Sequence, residues 1–311
     1  MRHVLITGCR GFIGRHLARQ LAASGDRVVG MGHGAWPQHE HEPWGLQDWC
    51  NADITRTNLE TLAGTHGHFD AVFHLAGGSS VAPSIAMPAE DFRRSVGSTL
   101  EVLEWCRNQK RRPGVVLAST AAVYGDRYRQ PVRATDPAQP KSPYGYHKWM
   151  CEQLVRSFAE NFGVPSAIVR LFSVYGPELR KQLLWDACRR LHQSPDPLAL
   201  AGTGEESRDW VHVSDASRIL QGASAIASQA CPVVHGATGV AVTVREIGDA
   251  LGEAFGRRGP TVFTGAVRAG DPMSLVSDAE DVREFAPFTP VRRGLAEYVE
   301  WFRRECGRRA T

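Results

Sequence analysis

The chain has 311 residues, 42% of them hydrophobic and 22% charged, ordinary proportions for a globular protein with a large core in one or two domains. Its formal net charge of +3 is small and its basic residues are scattered, which argues against nucleic-acid and membrane-surface binding. Seven cysteines stand singly with no C-x-x-C pair, and no leading or internal apolar run is long enough for a signal or a membrane span, so a cytoplasmic protein without zinc knuckle or disulfide framework is expected.

In chain order, the apolar run 4–6 predicts a strand ending in a turn punctuated by Gly8, Gly11 and Gly14, which flows into a helix patterned by Phe12, Ile13, Leu17 and Leu21. Glycines there let the backbone turn sharply, approach a pyrophosphate and pack helix on strand, and the helix N-terminus offers N–H groups to an anion. Glycine turns also join strands to helices for structural reasons alone; the place straight after an N-terminal strand favours dinucleotide binding. A second strand is expected at 26–31, a loop rich in His, Trp, Pro and Gly at 32–50, a short third strand closed by Asp53 and Ile54, and a brief helix at 58–63. His39-Glu40-His41 lacks a further spaced ligand pair and reads as solvated loop, so no metal site is expected.

A fourth strand runs from 70 to a turn at Gly77, helical periodicity covers 88–109, a fifth strand ends in Ser119 and Thr120, a long helix spans 144–162 and a sixth strand 166–172. Near-continuous apolar strands alternating with helices indicate an α/β fold with a doubly wound parallel sheet. After Pro177 come a helix at 179–192 and a strand–helix–strand portion, 210–235, expected to return to the sheet. The domain expectation is 1–177 plus 209–236 for the sheet domain, and 178–208 plus 237–311 for a smaller C-terminal lobe over the carboxyl edge of the sheet, where open α/β sheets bind ligands.

Tyr144 and Lys148 lie four apart at the start of a predicted helix and share a face. A phenol is a poor base at its ordinary pKa of about 10, and a lysine cation one turn away would favour the phenolate and bring it toward working pH. Tyr-x-x-x-Lys also arises by chance in amphipathic helices. Thr120, at the carboxyl end of the fifth strand, adds a hydroxyl for a substrate oxygen beside the tyrosine, and the three together make a proton-transfer site.

Thr7-Gly8-x-x-Gly11-Phe12-Ile13-Gly14, His74-Leu75-Ala76-Gly77, Ser119-Thr120-Ala121-Ala122-Val123-Tyr124-Gly125, Tyr144-x-x-x-Lys148 and Arg170-Leu171-Phe172-Ser173-Val174-Tyr175-Gly176-Pro177 occur in this order. Over essentially the whole chain the sequence resembles the extended short-chain dehydrogenase/reductases, more narrowly the NAD(P)-dependent epimerase/dehydratase group acting on nucleotide sugars. The resemblance implies a Rossmann domain with a substrate-binding lobe and a homodimer built on helices near 88–109 and 144–162. Tyr144 matches the general acid/base, Lys148 the residue on the nicotinamide ribose, and Thr120 the hydroxyl steadying the sugar oxygen. Gly8, Arg10, Gly11, Phe12, Ile13 and Gly14, with Leu75, Ala76 and Gly77, fall on the cofactor motifs, and Asp53 and Ile54 match the pair flanking the adenine. Arg208 matches an arginine near the nucleotide phosphates, a task suited to the guanidinium fork. Arg268 and Asp271 match a phosphate and a ribose contact of the small lobe, and Ser79 and Ser173 complete the substrate set.

Three departures refine these implications. Dehydratases of the group usually carry acidic residues where Ala121 and Ala122 stand, so 4,6-dehydration is not expected. Ser173 replaces the asparagine of Arg-x-Phe-Asn, which leaves the nucleotide's pose open. The second strand ends in Met31-Gly32-His33 with no acid for an adenosine ribose diol, while Arg10 in the glycine turn could meet a 2′-phosphate, so NADP(H) is favoured over NAD(H); the alternative is an exposed Arg10 with loop groups such as His33 on NAD's diol. The leading expectation is an NADPH-dependent reductase of a nucleotide-linked 4-keto sugar with Tyr144 as general acid. The alternatives are a nucleotide-sugar epimerase using the same residues and a non-catalytic dinucleotide-binding regulator.

Overall fold

The computed structural model describes residues 1–311 except 129, 195–196, 258, 267–271, 279 and 310–311. The backbone separates into two compact units, Met1–Gly125 with Ala134–Leu171 and Ala216–Gly236, and Asp126–Arg133 with Phe172–Asp215 and Ala237–Thr311.

The first unit is built on a parallel sheet. Its strands are β1 (His3–Thr7), β2 (Arg27–Gly32), β3 (Leu46–Asn51), β4 (Ala71–His74), β5 (Gly114–Thr120), β6 (Ser166–Leu171) and Val233–Gly236. They lie in the order Val233–Gly236, β6, β5, β4, β1, β2, β3, each pair parallel. The chain winds one way from β1 through β3 and the other way from β4 onward, so the carboxyl ends of the neighbours β1 and β4 form the switch point of a doubly wound sheet. Interior strands are covered on both faces, and every residue of β1, β4 and β6 is buried, which is why they read as unbroken apolar runs. Leu5, Val29, Val72, Val115 and Ile168 share a core with Val102, Leu103, Trp105, Val155 and Phe158 from two helices, each large side chain worth about 1.5–3 kcal/mol on burial.

Two strand expectations are corrected. The third strand is Leu46–Asn51, overlapping the end of the expected loop, and Asp53 and Ile54 follow it outside any strand or helix. It is an edge strand paired only with β2, mostly half-exposed, and so carries no apolar run. The strand Ser207–His212 does not return to the sheet; it pairs with Ser173–Tyr175 and Ser274–Leu275 in parallel and with Ala241–Thr243 antiparallel. Residues 172–177 and 209–215 accordingly group with the second unit.

In that second unit Asp209, fully buried, accepts from Thr238 N and Oγ1 and Gly239 N at 2.7, 2.9 and 2.8 Å and so anchors the turn beyond the unit's central strand. Thr243 and Glu246 form a reciprocal capping box on the helix Val244–Ala254, satisfying two orphan donors. Among the described residues no helix is long and apolar enough to cross a membrane.

Candidate active site

The glycine turn is a cradle made of backbone. Gly8 leaves β1 with φ +71°, and a Cβ there would lie 2.8 Å from Ala76 N, so only glycine lets the turns after β1 and β4 approach this closely. A Cβ on Gly14 would lie 2.5 Å from Gly8 O. Leu75 N donates to Thr7 O at 3.1 Å and Gly11 N to Gly8 O at 3.0 Å, closing the turn on itself. The helix Phe12–Ala23 then starts with no side-chain cap and no acid in its first turn, which suits its N–H groups to an anion. Phe12 and Ile13 are half-buried and seat that helix. These features fit the pyrophosphate of a dinucleotide.

At the other end of this cradle Arg10 is exposed, and its guanidinium lies over Gly34, where an added Cβ would meet Nη1 at 2.7 Å. Gly34 is held by β3, donating to Asn51 Oδ1 at 2.9 Å and accepting from Trp49 Nε1 at 3.0 Å. No acid follows β2. The carboxylate that does reach the region is Asp53, 3.3 Å from His33 Nε2, both well exposed, with Ile54 half-buried beside it.

The end of β4 is braced by His74, which bonds Thr7 Oγ1 at 2.7 Å and Thr99 Oγ1 at 3.1 Å. Thr99 gives its own proton to Ser95 O, so His74 donates from Nε2 and accepts at Nδ1. Burial, with the Lys148 charge second, pushes His74 down to about 3, and it is a neutral brace. The loop after it carries Gly77, Gly78 and the exposed Ser79. Gly78 N donates to Ser95 Oγ at 2.8 Å from a π-helical turn, Arg93–Gly97, an irregularity that aims Ser95 at the loop.

Thr120 ends β5 and Tyr144 opens the helix Pro143–Phe162. Ser142 caps this helix by accepting from Gly145 N, and Pro143 sits at its first position, both ordinary start signals. Buried Ser84 accepts from Tyr144 N at 3.0 Å, setting where the phenol emerges. The Thr120 hydroxyl accepts from Ala122 N at 3.2 Å and hydrogen-bonds the Tyr144 phenol. Lys148, 5% exposed, donates from Nζ to Ala118 O at 3.0 Å; this uses one of its three protons. The structure thus brings Thr120, Tyr144 and Lys148 together around the end of β5.

One electrostatic expectation is corrected. Burial pushes the Tyr144 phenol up to about 12, the Thr120 hydrogen bond pulls it partly back, and Asp91 and Cys151 push it further up. Lys148 does not offset this rise; its own proton affinity is lowered by burial, against the opposing pull of Cys151, Asp91 and Glu152. The phenol is therefore an acid at neutral pH, and it acts as a base only through its minor form.

Sequence reasoning missed Ser84, the buried pair of Asp91 and His147 (Oδ2 to Nδ1, 2.6 Å), and Glu152. A signal existed for the last: Tyr144, Lys148 and Glu152 step by four along one helix face, and a carboxylate there interrupts an apolar stripe. Of the second unit's candidates, Ser173 opens the strand Ser173–Tyr175, and Arg208 lies on Ser207–His212 with Nη1 donating to Ser207 O at 2.8 Å. Arg268 and Asp271 lie outside the described residues.

The model of the NAD dependent epimerase/dehydratase family matches residues 4–225. The UDP-glucose 4-epimerase of Azospirillum brasilense is 31% identical over 92% of this chain and 87% of its own length. Two solved structures superpose over nearly the full chain. MoeE5 in complex with UDP-glucuronic acid and NAD is 32% identical with a TM-score of 0.84, covering 97% of this chain and 99% of that one. The UDP-glucuronic acid 4-epimerase of Bacillus cereus in complex with UDP-glucuronic acid and NAD is 25% identical with a TM-score of 0.85 and the same coverage.

Proposed function

Since the chain belongs to the NAD-dependent epimerase/dehydratase family, we propose that it inverts C4 of a UDP-linked hexose or hexuronic acid with NAD as its resident nucleotide. The observation that carries this reading is the whole-chain likeness to 4-epimerases, joined to a site in which Thr120 and Tyr144 share a hydrogen bond. It reverses the order expected from sequence, where net reduction led. The regulator reading has no support, because the chain belongs to a family of enzymes.

The chemistry that a bound NAD would supply is the reversible removal of a hydride from the sugar carbon. Everything else falls to the protein. In the forward step Tyr144 takes the C4 hydroxyl proton; after the ketone has presented its other face, Tyr144 gives a proton back, so no net proton or reductant is consumed. Thr120 holds the same oxygen, and the remaining protons of Lys148 would serve the nicotinamide ribose. Gly8, Gly11 and Gly14 would receive the pyrophosphate, with Phe12 and Ile13 behind them and Leu75, Ala76 and Gly77 on the facing turn; His33, Asp53 and Ile54 would flank the adenosine. Ser79, Ser173, Arg208, Arg268 and Asp271 remain our candidates for the UDP-sugar.

Net reduction with NADPH keeps one support, the Arg10 guanidinium lying over Gly34 with no acid beyond β2. One experiment separates the two. The purified protein is incubated with UDP-glucose or UDP-glucuronic acid, and products and the nicotinamide absorbance are followed. Interconversion of C4 epimers without net cofactor change, and tighter binding of NAD than NADP, are expected. Stoichiometric NADPH oxidation by a UDP-4-keto sugar with no epimer exchange would replace this reading by the reductase.

Ile85, Phe92, Leu100, Tyr146 and Met150 expose apolar surface on helices of the first unit, with Met87 between two of them, and we take a second copy of the chain to cover it. A sedimentation mass equal to the 34.1 kDa chain at assay concentration removes the dimer.

A further inference from the structure

Behind the proposed catalytic pair lies a fully buried polar chain. Glu152 (0% exposed) sits one helical turn beyond Lys148 and accepts from Ser119 Oγ at 2.5 Å. Arg170 (4% exposed) clasps the same carboxylate, Nε to Oε1 at 3.0 Å and Nη2 to Oε2 at 2.8 Å. Its Nη1 donates to Tyr124 OH at 2.7 Å and to Ala134 O at 3.0 Å, and Tyr124 OH bonds His235 Nε2 at 2.6 Å. Arginine can only donate, so Tyr124 OH accepts from Arg170.

A buried ion pair is weak support for stability, because the desolvation cost can exceed the Coulombic gain, and a well-packed apolar pair would fill the same space. What this one does is geometric. Ser119 precedes Thr120 and follows Ala118, the acceptor of Lys148. The helix bearing Tyr144 and Lys148 is therefore fastened to the end of β5 by two bonds one turn apart, Lys148 to Ala118 O and Ser119 to Glu152. Resting on the reading of Tyr144 and Lys148 given above, we propose that Glu152 is a positioning residue: held by Arg170 and Ser119, it sets the catalytic helix against Thr120 and places a carboxylate one turn behind the Lys148 ammonium.

Besides Glu152, the groups pulling on Lys148 are Cys151 on its own helix and Asp91 from Pro88–Phe92; Tyr144 shares its helix, and Lys148 acts in turn on neutral His74 at the end of β4. The carboxylates bearing on Lys148 are thus Glu152 and Asp91. Removing the charge of Glu152 makes Lys148 lose its proton at lower pH, and the ribose contact fails with it.

Glu152→Gln keeps the shape and removes the charge. It is expected to lower kcat tenfold or more with KM within twofold, and to move the high-pH loss of both kcat and NAD affinity down by roughly one pH unit; Glu152→Asp restores part of both. Ser119→Ala keeps the ion pair but cuts the tie to β5, so kcat falls about threefold with the pH profile unmoved. NAD affinity is followed by quenching of protein fluorescence, with circular dichroism confirming the fold. A folded Glu152→Gln protein with kcat within twofold and unmoved profiles overturns the proposal. If that variant does not fold, an unchanged kcat in Ser119→Ala overturns it. Should the wild type epimerise no UDP-sugar, the functional reading falls by itself, and the pH profile of NAD affinity still decides for or against Glu152.

Discussion

Tyr124 and Tyr144 belong to the same unit and flank the same strand end, yet their hydroxyls live in opposite conditions. Tyr124 is wholly buried, and its oxygen is spoken for on both sides, by Arg170 and by His235. Tyr144 keeps partial exposure and meets Thr120, a neutral hydroxyl at the rim of β5. A phenol whose donor and acceptor sites are both filled is a strut, since any proton it moved would leave a buried partner unpaired. A phenol with one exchangeable neighbour at a sheet's carboxyl edge can lend its proton. Identical side chains thus meet opposite surroundings, and only those of Tyr144 suit the proton transfer we propose.

Paired substitutions test this contrast most sharply. Tyr144→Phe is expected to cut kcat by about 10²–10⁴-fold while NAD affinity and melting temperature hold; turnover within tenfold of wild type would break the assignment. A smaller effect is expected from Thr120→Val. The Thr120 hydrogen bond lowers the Tyr144 pKa against burial, so its loss raises that pKa further. The base form then grows in only at higher pH, the ascending limb of kcat against pH moves up, and activity at neutral pH falls roughly tenfold. An unmoved limb would mean that Thr120 does not tune the phenol. Tyr124→Phe should change turnover least, by less than about threefold, yet cost about 1–3 kcal/mol of stability because the buried bonds of the phenol to Arg170 and His235 are lost. Equilibrium denaturation measures that loss, and a stability equal to wild type would erase the distinction between strut and catalyst.

Much of the first unit could be read from residues alone, and the reason is locality. Strands covered on both faces must be continuously apolar, and the turn after β1 must carry glycine where a Cβ would strike Ala76. The phase of Tyr144 and Lys148 on one helix face follows from helix geometry. The failures share a cause as well. Leu46–Asn51 pairs on one side only, so its sequence lacks the period that marks a strand. The choice between epimerisation and reduction is not written in the catalytic residues, which both reactions use, and likeness to whole relatives weighs on it instead.

The amino-acid sequence by itself determined the apolar strands of the sheet, the glycine turn after β1 and the shared helix face of Tyr144 and Lys148, because each depends on residues within a few positions of one another. Tertiary structure alone decided which sheet Ser207–His212 joins, that Glu152 meets Arg170 across 18 residues and Tyr124 meets His235 across 111, and that Tyr144 is pushed up to about 12. Strand partnership, buried ion pairing and desolvation are set by what surrounds a group in space, and no spacing along the chain encodes that.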